Sequence, residues 1–187
     1  MYLLNIEALD LGPDVRAVGL DLVEADQNRE PVRGEAAARI WSRVIRATAG
    51  SEPWALDFFS HLDRVRDFCE ARGIDYREAN KRSLVIPAPE PTPLEGLIGR
   101  FQSETFGIRA GGALATGEGA DPVLEGELAR RGADAYHQAF PNYYFCAICG
   151  FEDGSLVVLS ETLRANEVIG RVRAVIKDLN VEVRLPV

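Results

Sequence analysis

Histidine, cysteine, lysine and methionine are all scarce in this chain of 187 residues. It has two histidines, three cysteines and one methionine, and arginine supplies every basic side chain except Lys81 and Lys177. Three thiols are too few for a disulfide-stapled scaffold, and no second cysteine or histidine pair completes a zinc site of the usual spacing. The sequence therefore excludes a disulfide-rich class and predicts no bound cofactor.

The chain also lacks net positive charge and long apolar runs. Its formal charge is −8, whereas proteins that bind nucleic acid present a basic surface to the phosphates. It has no run of about 18 uncharged apolar residues, which a membrane-spanning helix would need. The first ten residues carry no basic leader and are typical of a strand. We therefore expect a cytoplasmic protein without a nucleic-acid or membrane partner, and the arginine bias is typical of a GC-rich bacterial source.

Two stretches of the chain share one order of elements. Residues 2–48 and 143–179 each predict a strand, a tight turn, a second strand and an amphipathic helix. This order predicts an α+β fold with a mixed or antiparallel sheet, helices mainly on one face, and two ββαβ-like halves. The halves would be residues 1–86 and 94–187 of a single domain, joined by the proline-rich connector at residues 87–93.

Apolar residues at helical spacing predict three long helices. The first lies between Gly34 and Gly50, the second covers residues 54–72 before Gly73, and the third covers residues 163–179. Shorter elements are a helix over residues 94–101 and strands over residues 83–86 and 181–185. The glycine-rich residues 107–119 predict a linking loop, because they lack the Gly-Lys-Ser/Thr ending of a phosphate-binding loop.

Cys146 and Cys149 have the spacing of a redox or metal-binding pair. Reactive pairs of this kind lie where a loop enters a helix, whereas these two fall inside a predicted strand over residues 143–151. Positions three apart on a strand point to opposite faces, so the two sulfurs would not share a metal. Ordinary core packing is therefore favoured for both, and also for Cys69 on the apolar stripe of the second helix.

Each of the two histidines has an aspartate at helical spacing, Asp57 with His61 and Asp134 with His137. Solvated surface pairs are the favoured interpretation, and no metal site is favoured. The alternative is a divalent-metal site that brings all four side chains together. Without a metal, either histidine could act as a general base whose ring is oriented by its aspartate.

Arg39, Arg43 and Arg46 form a stripe at i, i+4 and i+7 on the first helix. Such a stripe can bind phosphate or an acidic partner through charge-assisted hydrogen bonds. A solvated face paired with nearby carboxylates is the favoured interpretation.

A small-ligand site is predicted as an alternative in the groove between the halves, at Tyr136, His137, Tyr144 and Arg109. Tyrosine suits such a pocket because it combines an apolar body with a polar tip. Neither a Gly-x-Ser-x-Gly nor a His-Glu-x-x-His motif marks a catalytic centre. The catalytic residues are therefore unknown, and enzymatic activity is left open.

The favoured function is a non-catalytic, acidic binding protein. An inhibitor- or immunity-type protein that masks a basic partner such as a nuclease is one concrete version, because opposite charges speed association. The first alternative is a small-ligand-binding protein or an enzyme, metal-dependent in one version. The second is a homo-oligomeric subunit in which the sheet edge at residues 181–185 pairs with another copy.

Overall fold

One large sheet runs through the computed structural model, which describes residues 1–10, 16–50, 54–58, 60–79, 83–101, 106–110, 145–150, 155–160 and 165–185. In chain order the elements are β1 (Tyr2–Asp10), β2 (Arg16–Glu24), α1 (Gly34–Ala49), β3 (Trp54–Phe58), α2 (Leu62–Glu70), β4 (Arg77–Ala79), β5 (Ser83–Pro87), α3 (Pro91–Phe101), β6 (Phe106–Ala110), β7 (Phe145–Gly150), β8 (Ser155–Ser160), α4 (Ala165–Ile176) and β9 (Val181–Arg184). The strand order across the sheet is β4-β5-β3-β6-β7-β8-β2-β1-β9.

The strand pairing makes this a mixed sheet. β1 and β9 are parallel, and the other neighbouring strands among the described residues are antiparallel. The hairpins β1–β2 and β7–β8 lie side by side because β2 pairs with β8, with Leu20 opposite Leu156. The predicted α+β fold with a mixed sheet is confirmed, whereas the duplication into two halves stays a prediction.

The hydrophobic core lies between one face of the sheet and the helices. Side chains alternate between the two faces of a strand, so strands such as β1, β2 and β3 contribute every second residue to this layer. The core joins strand residues such as Leu4, Leu20 and Leu56 to side chains of the four helices in the described ranges, with Trp41 of α1 fully buried. The prediction of helices mainly on one face is confirmed for the helices that the structure describes. Every helix in the described ranges is too short or too polar to traverse a lipid bilayer.

Helix α1 begins and ends at the predicted glycines. Gly34 has φ 72° and Gly50 has φ 69°, and such positive φ values are unfavourable for residues other than glycine. At the C-terminal end the Gly50 N–H donates to the Arg46 carbonyl, and the Arg171 guanidinium of α4 donates to the Thr48 carbonyl at 3.1 Å. A cation at this end of the helix is favourable because the last carbonyls carry partial negative charge.

The predicted helix over residues 54–72 is wrong in its first part. Trp54–Phe58 is strand β3, all five of its residues are buried, and the helix α2 begins only at Leu62. A strand covered on both faces loses the polar–apolar alternation that marks an exposed strand, so its apolar residues matched a helical spacing by chance. The predicted stop is confirmed, because the Gly73 N–H donates to the Glu70 carbonyl just after α2.

Two predicted connecting segments contain regular structure. Phe106–Ala110 forms β6 between β3 and β7, so the first residues of the predicted loop 107–119 belong to the sheet, and residues 111–119 lie outside the described residues. Helix α3 begins at Pro91, inside the predicted connector 87–93. Proline fits the first turn of a helix because the N–H that it lacks has no partner there.

Candidate functional site

The larger of two cavities among the described residues is an open groove over α1, with α3 forming one wall and α4 the other. Its volume is about 750 Å³. We call it the α1 groove and define it by its lining residues, which are Ser42, Arg43, Arg46, Ala47, Pro91, Glu95, Ala174, Val175, Lys177 and Asp178. The packing of α1 against both α3 and α4 produces this shape, because the middle helix of three forms the floor.

An ion pair closes one side of the α1 groove. Nη1 of Arg43 lies 2.7 Å from Oδ1 and 2.8 Å from Oδ2 of Asp178, and it also donates to the Val175 carbonyl at 3.2 Å. The hydrogen bond from Arg43 lowers the pKa of the Asp178 carboxyl below its usual value. Asp178 is exposed and Arg43 is only half-buried, so solvent screens this pair, and it positions the C-terminal end of α4 more than it stabilises the fold.

The predicted arginine stripe therefore has two environments. Arg39 and Arg46 are exposed, and Arg46 reaches the Pro89 carbonyl at 3.4 Å. Arg43 is half-buried and ion-paired with Asp178. The favoured interpretation, a solvated helix face paired with a nearby carboxylate, is confirmed at Arg43.

The floor of the α1 groove is small and already hydrogen-bonded. The Ser42 hydroxyl is buried and donates to the Arg39 carbonyl at 3.0 Å, with Oε1 of Glu95 at 3.5 Å. No histidine, cysteine or tyrosine is among the lining residues of this groove in the described part of the chain. Charged side chains line its rims, and its buried hydroxyl is already engaged in hydrogen bonds.

Sequence reasoning missed the walls of this groove. Glu95, Lys177 and Asp178 gave no signal, because Asp178 lies 135 positions from Arg43 in the chain and only the packing of α4 brings the two together. The arginine stripe was the one sequence feature that pointed to this groove, and it identified only α1, which forms the floor.

A second, smaller cavity of about 490 Å³ lies where the loop after β2 meets the end of β9. Asp26 shapes this loop, because its Oδ1 accepts the backbone N–H groups of Asn28 and Arg29, each at 3.0 Å. Such aspartate-closed turns are a common local structure and need no ligand to explain them.

The predicted small-ligand site is mostly outside the described residues. Tyr136, His137 and Tyr144 fall there, and so does Asp134 of the alternative metal site. Arg109 lies in β6, at the register position opposite Ala55 of β3 and Cys146 of β7.

The prediction that Asp57 and His61 share a helix face is wrong. Asp57 belongs to β3 and is fully buried, whereas His61 is exposed and precedes α2 with φ 50°. The spacing of four residues has no helical meaning across this strand-to-helix junction. Within the described ranges, no group of three or more His, Cys, Asp or Glu side chains is arranged to hold a metal ion.

The three cysteines lie in a helix and a strand. Cys146 and Cys149 belong to β7, opposite Arg109 and Phe106 of β6, so strand alternation assigns their positions to opposite faces. Cys69 is buried in α2, and burial raises the pKa of its thiol to about 11. That thiol is protonated at neutral pH, which makes it a poor nucleophile and metal ligand.

Comparison of the chain with protein-family models, with curated proteins and with solved structures finds no match.

Proposed function

We propose that this protein is a non-catalytic binding protein whose contact surface includes the α1 groove. One observation carries the proposal: the groove is open, its floor is small and hydrogen-bonded, and its rims carry charged side chains of both signs. Grooves over a helix with two flanking helices are suited to a segment of another protein, which is held by side-chain packing and rim charges.

The proposed partner is a basic protein, and the proposed role is that of an inhibitor- or immunity-type protein in the bacterial cytoplasm. The formal charge of −8 supports this proposal, because an acidic protein attracts a basic partner over distances beyond direct contact. The groove itself carries charges of both signs, with Arg46 and Lys177 near Glu95. The net charge would therefore govern the rate of association, and the groove would govern the fit.

A pair of bulky substitutions on neighbouring residues of α4 tests this proposal. Ala174→Trp fills the α1 groove, whereas Arg173→Trp places the same side chain on an exposed position that does not line it. A protein from the native host that is captured at low salt would be identified by mass spectrometry and its affinity measured for both variants. We expect a basic protein whose affinity falls with added salt, is lost with Ala174→Trp and is kept with Arg173→Trp.

Two results would overturn the proposal. One is that no partner is retained at either low or high salt. The other is a partner that binds the Ala174→Trp variant as tightly as the unmodified chain, which would place its contact surface away from the groove.

A small-ligand-binding or enzymatic function is a second candidate, supported by the burial of Asp57. This carboxylate is fully buried in β3, opposite Gly107 and two register positions from Arg109 of β6. Buried ionisable groups are costly and are concentrated at functional sites. Native mass spectrometry together with elemental analysis would detect a bound molecule or metal. Release of that species from the Asp57→Asn variant, with the fold retained by circular dichroism, would favour this second function.

A further inference from the structure

We propose that two copies of this chain pair through strand β9 and form a two-fold symmetric dimer with one continuous sheet. This inference is independent of the proposed function of the α1 groove. β9 is the outermost strand at one end of the sheet and pairs with β1 on its inner side. Its sequence alternates apolar and charged residues, Val-Glu-Val-Arg, and continues into Leu185.

The direction of the backbone groups of β9 follows from its bonding to β1. The Tyr2 N–H donates to the Asn180 carbonyl at 2.9 Å, and the paired residues are Tyr2 with Val181 and Leu4 with Val183. In a parallel pair, alternate residues direct both backbone groups to the same neighbour. Residues 180, 182 and 184 therefore face β1, and the N–H and C=O groups of Val183 point outward from the sheet.

Antiparallel pairing centred on Val183 makes this edge complementary to itself. Val183 then lies opposite Val183 of the second copy, in a position where the two residues exchange both backbone hydrogen bonds. Glu182 lies opposite Arg184 of the second copy, and Val181 lies opposite Leu185. Both opposite-charge pairs and apolar pairs across antiparallel strands are stabilising.

The charges also select this register over its neighbours. A shift that centres the pairing on residue 182 or on residue 184 places two like charges directly opposite each other, which is destabilising. In the isolated chain, Nε of Arg184 lies 2.9 Å from Oε1 of Glu182, and both side chains are 46% exposed. In the dimer each of these carboxylates would lie between two guanidinium groups, one from each copy.

The apolar side chains of the edge have surface left to bury. Val181 and Val183 pack against the core but are only partly buried, and Leu185 is 42% exposed. Pairing with a second copy would cover these residues on the same side of the sheet as the helices. The edge is short, because β9 has only four residues. We therefore expect a weak, concentration-dependent dimer.

Charge reversal at the two polar positions tests the register. We expect sedimentation velocity of the unmodified chain, from about 5 to about 500 µM, to show a monomer–dimer equilibrium. Glu182→Arg and Arg184→Glu each place like charges opposite one another and should raise the dimer dissociation constant by about tenfold or more. The double variant Glu182→Arg/Arg184→Glu restores opposite charges and should restore the dimer.

A mixture of the two single variants provides a sharper readout. One chain then carries two arginines at these positions and the other carries two glutamates, so a heterodimer should form where neither homodimer does. Asp67→Arg on α2 is the matched control for Glu182→Arg. It makes the same change of charge at an exposed residue beside the opposite end of the sheet. A chain that is monomeric throughout this range would refute the proposal. So would single variants that dimerise like the unmodified chain, or a mixture that forms no heterodimer.

Discussion

Helices α1 and α2 follow consecutive strands in the chain and contribute to one core, but they are held in different ways. α1 buries nine of its sixteen residues, including Trp41, and contacts both α3 and α4. α2 buries only Val65 and Cys69 and contacts the sheet mainly at β5. The first helix is thus an interior element, and the second lies near the margin of the fold.

Exposed polar bonds surround α2. Arg66 donates to Asp63 at 2.6 Å and to Glu78 of β4, and the Tyr76 hydroxyl donates to Glu70 at 2.7 Å. The bonds from Arg66 to these two carboxylates raise its pKa, with Glu78 as the larger cause. Such solvated pairs contribute little to stability, so the contrast predicts that changes in α1 destabilise the fold more than changes in α2.

The largest difference is expected between the buried side chains of the two helices. Trp41→Ala removes a fully buried indole and should lower the free energy of unfolding by about 3–5 kcal/mol. Val65→Ala removes two methyl groups of a buried α2 residue and should cost about 1–2 kcal/mol. Denaturant unfolding monitored by circular dichroism measures both values. Equal losses would mean that α2 supports the core as much as α1 does.

A second comparison concerns the glycines that follow the two helices. Gly50 has φ 69° and ψ −140°, and a Cβ there would lie 2.8 Å from Nη1 of Arg171. Gly73 has φ 62°, and the space that a Cβ would occupy there is open. We expect Gly50→Ala to cost about 2–3 kcal/mol, and Gly73→Ala about 1 kcal/mol, because only the first adds displacement of Arg171 to backbone strain. Denaturant unfolding of the two variants measures both losses.

A double variant identifies the part of this cost that Arg171 carries. In the Gly50→Ala background the guanidinium has already left the Thr48 carbonyl, so Arg171→Ala should cost less there than in the unmodified chain. Additive losses would show that the strain at Gly50 is confined to the backbone.

The elements that could be predicted from sequence are those with one solvent-exposed face and one buried face. The stripe of α1 and its two flanking glycines gave the right bounds, and the third predicted helix contains α4. The prediction of the first part of the second helix was wrong because β3 is covered on both faces, so its sequence does not alternate between polar and apolar residues. Strand β6 was not predicted because Gly107 suggested a loop. In the structure, pairing with two neighbouring strands fixes an extended backbone there.

The candidate site was less accessible to sequence reasoning than the fold. Arg43 was identified, but its partner Asp178 is distant in the chain and is brought near by helix packing alone. Helical spacing was applied to Asp57 and His61, which belong to a strand and to the start of a helix. Spacing arguments of this kind hold only when the type of element is known, and here a strand had been predicted as a helix.

The smallest expected effect in the comparison is a pH dependence specific to α2. Burial, helped by the nearby charge of Glu70, raises the pKa of the Cys69 thiol from 9.0 to about 11. The native state therefore keeps a proton that the unfolded state releases above about pH 9, so stability is full below that pH and declines as the pH rises towards 11. We expect a loss of about 1 kcal/mol between about pH 8 and about pH 10, measured by denaturant unfolding at each pH.

Two variants separate this thiol from the other group that titrates near α2. The hydrogen bond to Glu70 raises the pKa of Tyr76, so its phenol also contributes at high pH. Cys69→Ala should flatten the dependence between about pH 8 and about pH 10, whereas Tyr76→Phe should leave most of it, since the phenol titrates later. The slope is the quantity to compare, because Cys69→Ala also leaves a small cavity that lowers stability equally at every pH. An unchanged slope in Cys69→Ala would show that this thiol is as free to ionise in the folded chain as in the unfolded one, and that α2 is open to solvent on the side where it meets the core.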